Sequence, residues 1–265
     1  MVRMRIGVVV TLIAVLLVST DAMAWGKKGH CIVARIAEDH LAKATVRRVG
    51  ALLGADGSKD MASVASWADR PDVKRAPGRP MHTVRIAMDA SGYEVARDCR
   101  WKRPCIVEAI NHAEETLRNQ GATLGRQIVA LKDLIHFLGD IHQPLHTARN
   151  IGRQQVFLNG HKTMLHQVWD TRIIADQRLS CPKLAALLES DRSLQPSTGG
   201  APEDWAVEGR DIAMREIFAE TAPRGKSAAP TTLTDDYAGR HWPTVKNRLK
   251  QAGLRLAAAL NRIYQ

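Results

Sequence analysis

Two histidine–aspartate pairs, His136 with Asp140 and His166 with Asp170, restrict the folds open to this chain more than any other feature. Four residues is just over one helical turn, so each pair projects from one helix face. Their neighbours are Leu, Ile, Phe, Val and Trp. A helix that buries those neighbours also buries the pair, and a buried charge needs a partner or a metal. One such pair alone is more often an ordinary core residue with its polar atoms satisfied. Two pairs close together, both set among apolar residues, read as metal ligands, and imidazole nitrogen with carboxylate oxygen suits zinc. The first pair lies in His136-Phe-Leu-Gly-Asp140-Ile-His142-Gln-Pro-Leu-His146. There Pro144 turns the chain and can return His146 to the same pocket.

The surrounding sequence supplies the helices these pairs need. Across residues 30–53, Val33, Ile36, Ala37 and Leu41 recur at helical spacing, with Gly54 as the expected stop. Residues 105–119 form a second helical stretch. Residues 128–142 form a third, apolar on several faces and so expected to be buried, with Pro144 ending it. Residues 202–220 give another. In the last segment Val245, Leu249, Ala252, Leu256, Leu260 and Ile263 follow steps of three and four, with Arg and Lys between them. Strand signals are sparse, and residues 154–158 read as one short strand or hairpin arm. Gly, Pro, Ser and Asp mark loops at 56–60, 70–80, 193–201 and 222–234. Without an internal repeat or a long linker, the expectation is all-α, a single helical domain.

The N-terminus reads as a secretory signal peptide. Arg3 and Arg5 are the basic region, residues 6–18 the apolar run, and Ala22-Met23-Ala24 a small-x-small cleavage site. The apolar run is short for a bilayer span, and no second one follows, so no membrane anchor is expected after processing. The reading divides the chain into a cleaved signal peptide, 1–24, and one domain, 25–265, exported to the periplasm or beyond. Taking Arg3, Arg5 and Asp21 away leaves 36 basic and 26 acidic residues, a formal charge of about +10. Such a charge attracts polyanions, whether nucleic acid or an anionic lipid surface, and does not choose between them. Export implies an oxidising compartment for Cys31, Cys99, Cys105 and Cys181. Cys99 and Cys105 are close enough to bridge a short loop. A Cys31–Cys181 bridge follows only by elimination, and sequence does not fix connectivity. With no CxxC pair, a thiolate zinc site is not expected. The missing Asn-x-Ser/Thr sequon fits a bacterial exported protein.

In order along the chain stand Trp25-Gly-Lys-Lys-Gly-His30, Ser66-Trp67-Ala68-Asp69, His82, Gly92-Tyr93 with Arg97-Asp98-Cys99, the 136–146 segment, and Leu165-His166-Gln-Val-Trp-Asp170. Trp205-Ala-Val-Glu208 and Gln251-Ala-Gly-Leu-Arg-Leu-Ala257 complete the series. This combination resembles the zinc-dependent single-strand nucleases and 3′-nucleotidases of fungi, plants and bacteria, the S-one/P-one nucleases, to which bacterial zinc-dependent phospholipases C are distantly related. The resemblance implies three zinc ions in a cleft. One would take Asp69, His82, His136 and Asp140. A second would take the α-amino group and carbonyl oxygen of Trp25, with His30 and a shared Asp140. The third would take His146, His166 and Asp170. The Trp25 assignment has its own logic. An α-amino group ligates metal only once free, and its pKa of about 8 lets a metal compete with the proton. Cleavage after Ala24 would then complete the site. The resemblance further implies a monomeric endonuclease that hydrolyses single-stranded DNA or RNA to 5′-phosphorylated products, with 3′-nucleotidase activity beside it. Asp69 and Asp140 would serve catalysis through their metals, with no Ser, Cys or His nucleophile. His142 is not among the ligands and reads as a residue supporting them. His40, His112, His161 and His241 read as surface or packing residues.

The sequence departs from the family pattern around this site. Family members usually follow the histidine matched by His82 with an aromatic residue, which stacks a base, and an acid or amide two further on. Here stand Thr83 and Arg85. The arginine usual three residues after Asp69 is replaced by Asp72, with Arg70 nearby. Arg85 and Arg70 are therefore the candidate phosphate contacts. The segment 147–153 and Met164 also depart from the pattern. Two other readings compete. A phospholipase C-like enzyme would use the same metals on a lipid head group, but such relatives usually carry Glu where this chain has Asp170. A catalytically impaired nucleic-acid binder would keep the metals and lose turnover.

Overall fold

The computed structural model describes residues 25–100, 102–150, 152–221 and 229–265, so the expected signal peptide and residues 222–228 of the last loop lie outside the description. Seven long helices carry the architecture: α1 (Lys27–Asp39), α2 (Lys43–Ala55), α3 (Ile106–Arg118), α4 (Leu124–Ile141), α5 (Cys181–Ser190), α6 (Pro202–Ile212) and α7 (Tyr237–Ile263). The expected helical class holds.

At the centre is α4, packed against α1, α2, α3, α6 and α7. Every residue from Ala130 to Ile141 is buried, as its lack of a polar face requires. The helix begins ahead of the expected 128 because the Thr123 hydroxyl accepts the Arg126 N–H at 3.4 Å, an N-cap. It ends at Ile141, before the proline. The Gln143 side chain then accepts the Leu145 N–H at 2.5 Å, and Pro144 opens a 3₁₀ turn, Pro144–His146.

The single run expected over 30–53 is broken into α1 and α2. The cause lies over two hundred residues away in α7. Asn261 accepts the Ala42 N–H at 2.9 Å and donates to the His40 carbonyl at 3.0 Å, satisfying the backbone groups a continuous helix would have used. Gly54 does not stop α2, which runs to Ala55. The last helix starts earlier than the expected 245 and passes through Pro243. An interior proline costs about 3 kcal/mol, and the turn ahead of it buries Tyr237, Ala238 and His241. The 202–220 stretch is α-helical only to Ile212 and continues with π-type bonding over Ala213–Phe218.

The strand expected at 154–158 is one arm of a hairpin. β1 (Gln155–Leu158) pairs antiparallel with β2 (His161–Met164), and β3 (Thr231–Thr232) joins β1 in parallel on its other side. Asn159 and Gly160, with φ of 49° and 74°, form the two-residue turn that matches strand twist. Two disulfides staple the helices. Cys31–Cys181 ties α1 to α5, and Cys99–Cys105 closes the loop that leads into α3. Among the described residues no helix is long and apolar enough to cross a membrane.

Candidate metal centre

Residues from the N-terminal end of the domain and from the middle of the chain meet on the buried face of α4. From α4 come His136 and Asp140, both fully buried. The N-terminal turn of α1 supplies His30, and the 3₁₀ turn Trp67–Asp69 supplies Asp69. An extended run carries His82 into place beside the 3₁₀ turn that follows α4. Val84 N–H donates to His146 O at 2.9 Å and Ile86 N–H to Thr147 O at 3.1 Å, while Arg149 N–H returns to Ile86 O at 2.8 Å. After the hairpin, a π-type turn over Val168–Arg172 presents Asp170 beneath His166, a local widening that often marks functional sites.

Close approach at two glycines admits the N-terminus. A Cβ at Gly139 would stand 2.8 Å from His30 Nδ1, and one at Gly26 would strike the Thr171 side chain. Gly26 N–H donates to Asp170 O at 2.8 Å, which holds the start of the domain against the far aspartate. Trp25 is fully buried there.

Two groups of side chains result. In the first, His82 Nδ1 lies 2.8 Å and His136 Nε2 3.1 Å from Asp140 Oδ2, and His30 Nε2 3.2 Å from Asp140 Oδ1. Asp69 completes the ring, with His82, His136 and His30 at 3.7, 3.8 and 3.9 Å. In the second, His166 Nε2 lies 3.3 Å from Asp170 Oδ2 and 3.1 Å from His146 Nε2.

The outer nitrogens explain the orientation of the inner ones. His136 Nδ1–H donates to the Ala65 carbonyl at 2.8 Å, and His146 Nδ1–H to the His82 carbonyl at 2.7 Å. A carbonyl only accepts, so these bonds fix each ring and turn Nε2 inward. The Gln143 amide donates to Asp170 Oδ1 at 2.5 Å and leaves Oδ2 facing the histidines.

Several polar atoms of the two groups make no hydrogen bond. Among the described residues, His30 Nδ1 and Nε2, Asp69 Oδ2, Asp140 Oδ1 and Asp170 Oδ2 are buried without a hydrogen bond. Such atoms cost about 1–3 kcal/mol each when left unsatisfied, more when charged. Divalent cations would satisfy the oxygens and one nitrogen of His30, and the donor set suits zinc. Three His/Asp groups lie close enough to hold an ion: His30, Asp69 and His136; His82, His136 and Asp140; and His146, His166 and Asp170.

The electrostatics favour a cation here. Burial favours the neutral acid at Asp140, yet the facing His136, with His30 and His82 close by, holds it well below the usual carboxylate range. Burial opposes charge on His136 too, but Asp140 and Asp69 raise it to about 9. Burial lowers His82 to about 4 and His146 to about 3, which leaves their rings neutral and free to ligate. Burial raises Asp170 well above its ordinary value.

Over this floor opens a cavity of about 480 Å³, lined by Lys74, Arg75, Arg85, Arg103 and Arg153 together with His82, His146 and His166. Arg85 is thus on the wall. Arg70 is exposed and paired with Asp72 at 2.7 Å, and it is not among the lining residues. From the end of the short helix Pro71–Lys74, Lys74 reaches inward to Asp69 Oδ1 at 3.0 Å. The sequence pattern does not single out Lys74, Arg75, Arg103 or Arg153. Only Lys74 carries a local signal, as the cation nearest Asp69 after Arg70 once Asp72 takes the family's arginine position. A larger cleft of about 920 Å³, between α3 and α4, contains none of the His/Asp floor. His142 is buried behind the site, donating Nδ1–H to Leu138 O at 2.7 Å and meeting Arg255 at 3.0 Å.

Comparison with known proteins agrees with this geometry. The chain is 32% identical to Endonuclease 4 of Arabidopsis thaliana over 92% of its own length and 90% of the relative's. It is 30% identical to Nuclease S1 of Aspergillus oryzae (90% and 91% covered) and 25% to Nuclease P1 of Penicillium citrinum (91% and 98%). These relatives are plant and fungal, so the bacterial expectation draws nothing from them. The pattern of the family described as S1/P1 Nuclease matches residues 25–265, beginning at the buried Trp25. The chain belongs to the S1/P1 nuclease family.

Proposed function

We propose that this nuclease is a zinc-dependent phosphodiesterase that cuts single-stranded DNA and RNA to 5′-phosphorylated products and also releases phosphate from 3′-nucleotides. The observation that carries this reading is the convergence of buried, unpartnered nitrogen and oxygen atoms beneath a cationic pocket. Asp69, His82, His136 and Asp140 would hold one zinc. Trp25, through its freed α-amino group and carbonyl, would hold a second with His30 and Asp140. His146, His166 and Asp170 would hold a third. Zinc bound there supplies Lewis acidity toward water and toward phosphoryl oxygen.

The chain's own residues do the rest. Asp140 offers one oxygen to His82 and His136 and the other toward His30, which suits it to serve two ions. Asp69 closes the same group. The carbonyl contacts of His136 and His146 fix the rings in advance, so no reorganisation is needed when charge develops. The wall cations orient the phosphate and offset its charge. We further propose that residues 1–24 are a cleaved signal peptide, that the product is secreted or periplasmic without a membrane anchor, and that it acts as a monomer. The start of the family match at Trp25 supports that division.

The test uses protein beginning at Trp25. Metal content is read by mass spectrometry, alongside hydrolysis of single-stranded DNA, RNA and phosphatidylcholine. Near three zincs with nucleic acid cleavage that a chelator abolishes is the expected result. Cleavage of the lipid alone would move the chain to phospholipase chemistry. Three zincs with no turnover would make it a binder.

A further inference from the structure

The wall of the pocket differs from its floor in one chemical respect: among the described residues its charged side chains are all cationic, and it has no Phe, Tyr or Trp. Lys74 and Arg75 close a short helix, Arg85 comes from the extended run beside His82, Arg103 from the loop closed by Cys99–Cys105, and Arg153 from the entry to β1. Five positive side chains therefore converge from four segments. Among the described residues the lining includes neither Asp or Glu nor Phe, Tyr or Trp. Neighbouring rings are committed elsewhere. Phe137 is fully buried against the edges of His82 and His136, and Trp67 lies under Arg79 and Lys132. Thr83 stands where a stacking ring would reach the pocket.

Arg103 shows how the wall is held. Its guanidinium donates to the carbonyls of Arg79 at 2.6 Å, Pro80 at 3.0 Å and Lys74 at 3.4 Å. These acceptors are neutral, so they orient the group without cancelling its charge. The plane of the group is thus fixed through Nε and Nη2, so what the group offers a phosphate is its placed charge rather than that edge of the fork.

We infer that this pocket recognises the sugar–phosphate backbone and not the base: it takes a polynucleotide strand by charge at successive phosphates, with no base stacked. The inference rests on the phosphodiesterase reading above and specifies how its substrate is chosen. Stacking of one base on an aromatic ring is worth about 5- to 150-fold in affinity. A pocket without the ring forgoes that gain and depends on ion release, which scales as about −0.7 per phosphate on a plot of log affinity against log salt.

The experiment compares two substrates on the zinc-loaded protein: an oligothymidylate and an oligomer of equal length in which every nucleoside is a base-free tetrahydrofuran unit. Within the range that one stack would open, the expected kcat/KM values agree to about threefold. Both should fall with salt at the same slope, near −2 for about three phosphates engaged. Replacing Arg85 and Arg153 together by Ala should flatten that slope by about 0.7 for each phosphate no longer held and raise KM while kcat is kept. A base-free oligomer cut more than about tenfold more slowly would overturn the inference and point to a ring outside the described residues, such as Trp101. Failure to cut either polymer would instead overturn the phosphodiesterase reading beneath it. The two failures are therefore distinct.

Discussion

At the floor of the pocket His136 and Asp140 have no exposed surface, and His146, His166 and Asp170 are 2%, 2% and 1% exposed, whereas on the wall Arg75, Arg103 and Arg153 stand in solvent. The floor is built from atoms aimed inward by bonds on their outer side. The wall is built from long side chains, three of them exposed, that carry their charges at the pocket mouth. A floor atom that loses its partner has no water to replace it, so its cost is not shared. A wall cation lies in high dielectric among four others of the same sign and is partly replaceable. Floor substitutions should therefore act nearly all-or-none, and wall substitutions by degrees.

The largest effect is expected at Asp140. Asp140→Asn keeps the shape but removes the charge that His30, His82 and His136 surround. Activity should fall by roughly 10²–10³-fold or more, and metal content should fall with it. Full activity would break the contrast at its centre. Chelation should show the same dependence in stability. An ion present at a thousand times its Kd contributes about 4 kcal/mol, which for a chain of this size corresponds to about 8–16 °C in Tm. An unchanged Tm would mean that the buried, unpartnered atoms of the floor are not held by metal.

Next comes the N-terminus. A protein carrying one extra residue before Trp25 should bind one fewer zinc by native mass spectrometry, because the amino group becomes a peptide nitrogen and the buried Trp25 leaves no room for a detour. Three zincs in that variant would remove Trp25 from the floor. Gln143 tests the layer behind the ligands. Its amide holds Asp170 Oδ1 at 2.5 Å while its carbonyl caps the following turn. Gln143→Ala should cost about 10- to 100-fold in metal affinity at the His146 group, the usual weight of an outer-layer partner. Zinc titration would read that loss, and the His136 group should bind as before.

The contrast also explains what is legible in the sequence. Floor ligands announce themselves because a charge in an apolar segment at helical spacing is improbable without a reason, as with His136 and Asp140 or His166 and Asp170. The buried length of α4 and the run of α7 beyond Val245 follow from the same periodicity. What periodicity does not show depends on contacts distant in sequence. Asn261 breaks the helix between His40 and Lys43, and nothing local marks that position. Arg103 becomes a wall residue only because Cys99–Cys105 closes its loop and three carbonyls capture its guanidinium. Arg70 and Lys74 share a short segment, yet Asp72 takes the first into solvent while Asp69 draws the second inward. The Asn159-Gly160 turn is a local signal stronger than the single strand arm expected there, since that dipeptide between two polar–apolar arms specifies a hairpin.

Lys74 sits on the boundary between floor and wall and gives the finest test of the distinction. Its ammonium lies 3.0 Å from Asp69 Oδ1, with 23% of its side chain exposed. As a wall residue it is worth about what a partly exposed ion pair is worth, so Lys74→Ala should raise KM by about 2- to 5-fold with kcat and zinc content nearly unchanged. Asp69 would keep its histidine neighbours at 3.7–3.9 Å and its place in the first group. If the variant instead loses kcat on the scale of Asp140→Asn while retaining its zinc, Lys74 acts in the transition state and belongs to the floor. The measurement that separates the two is the split between KM and kcat on a single-stranded oligonucleotide, taken with metal content on the same sample.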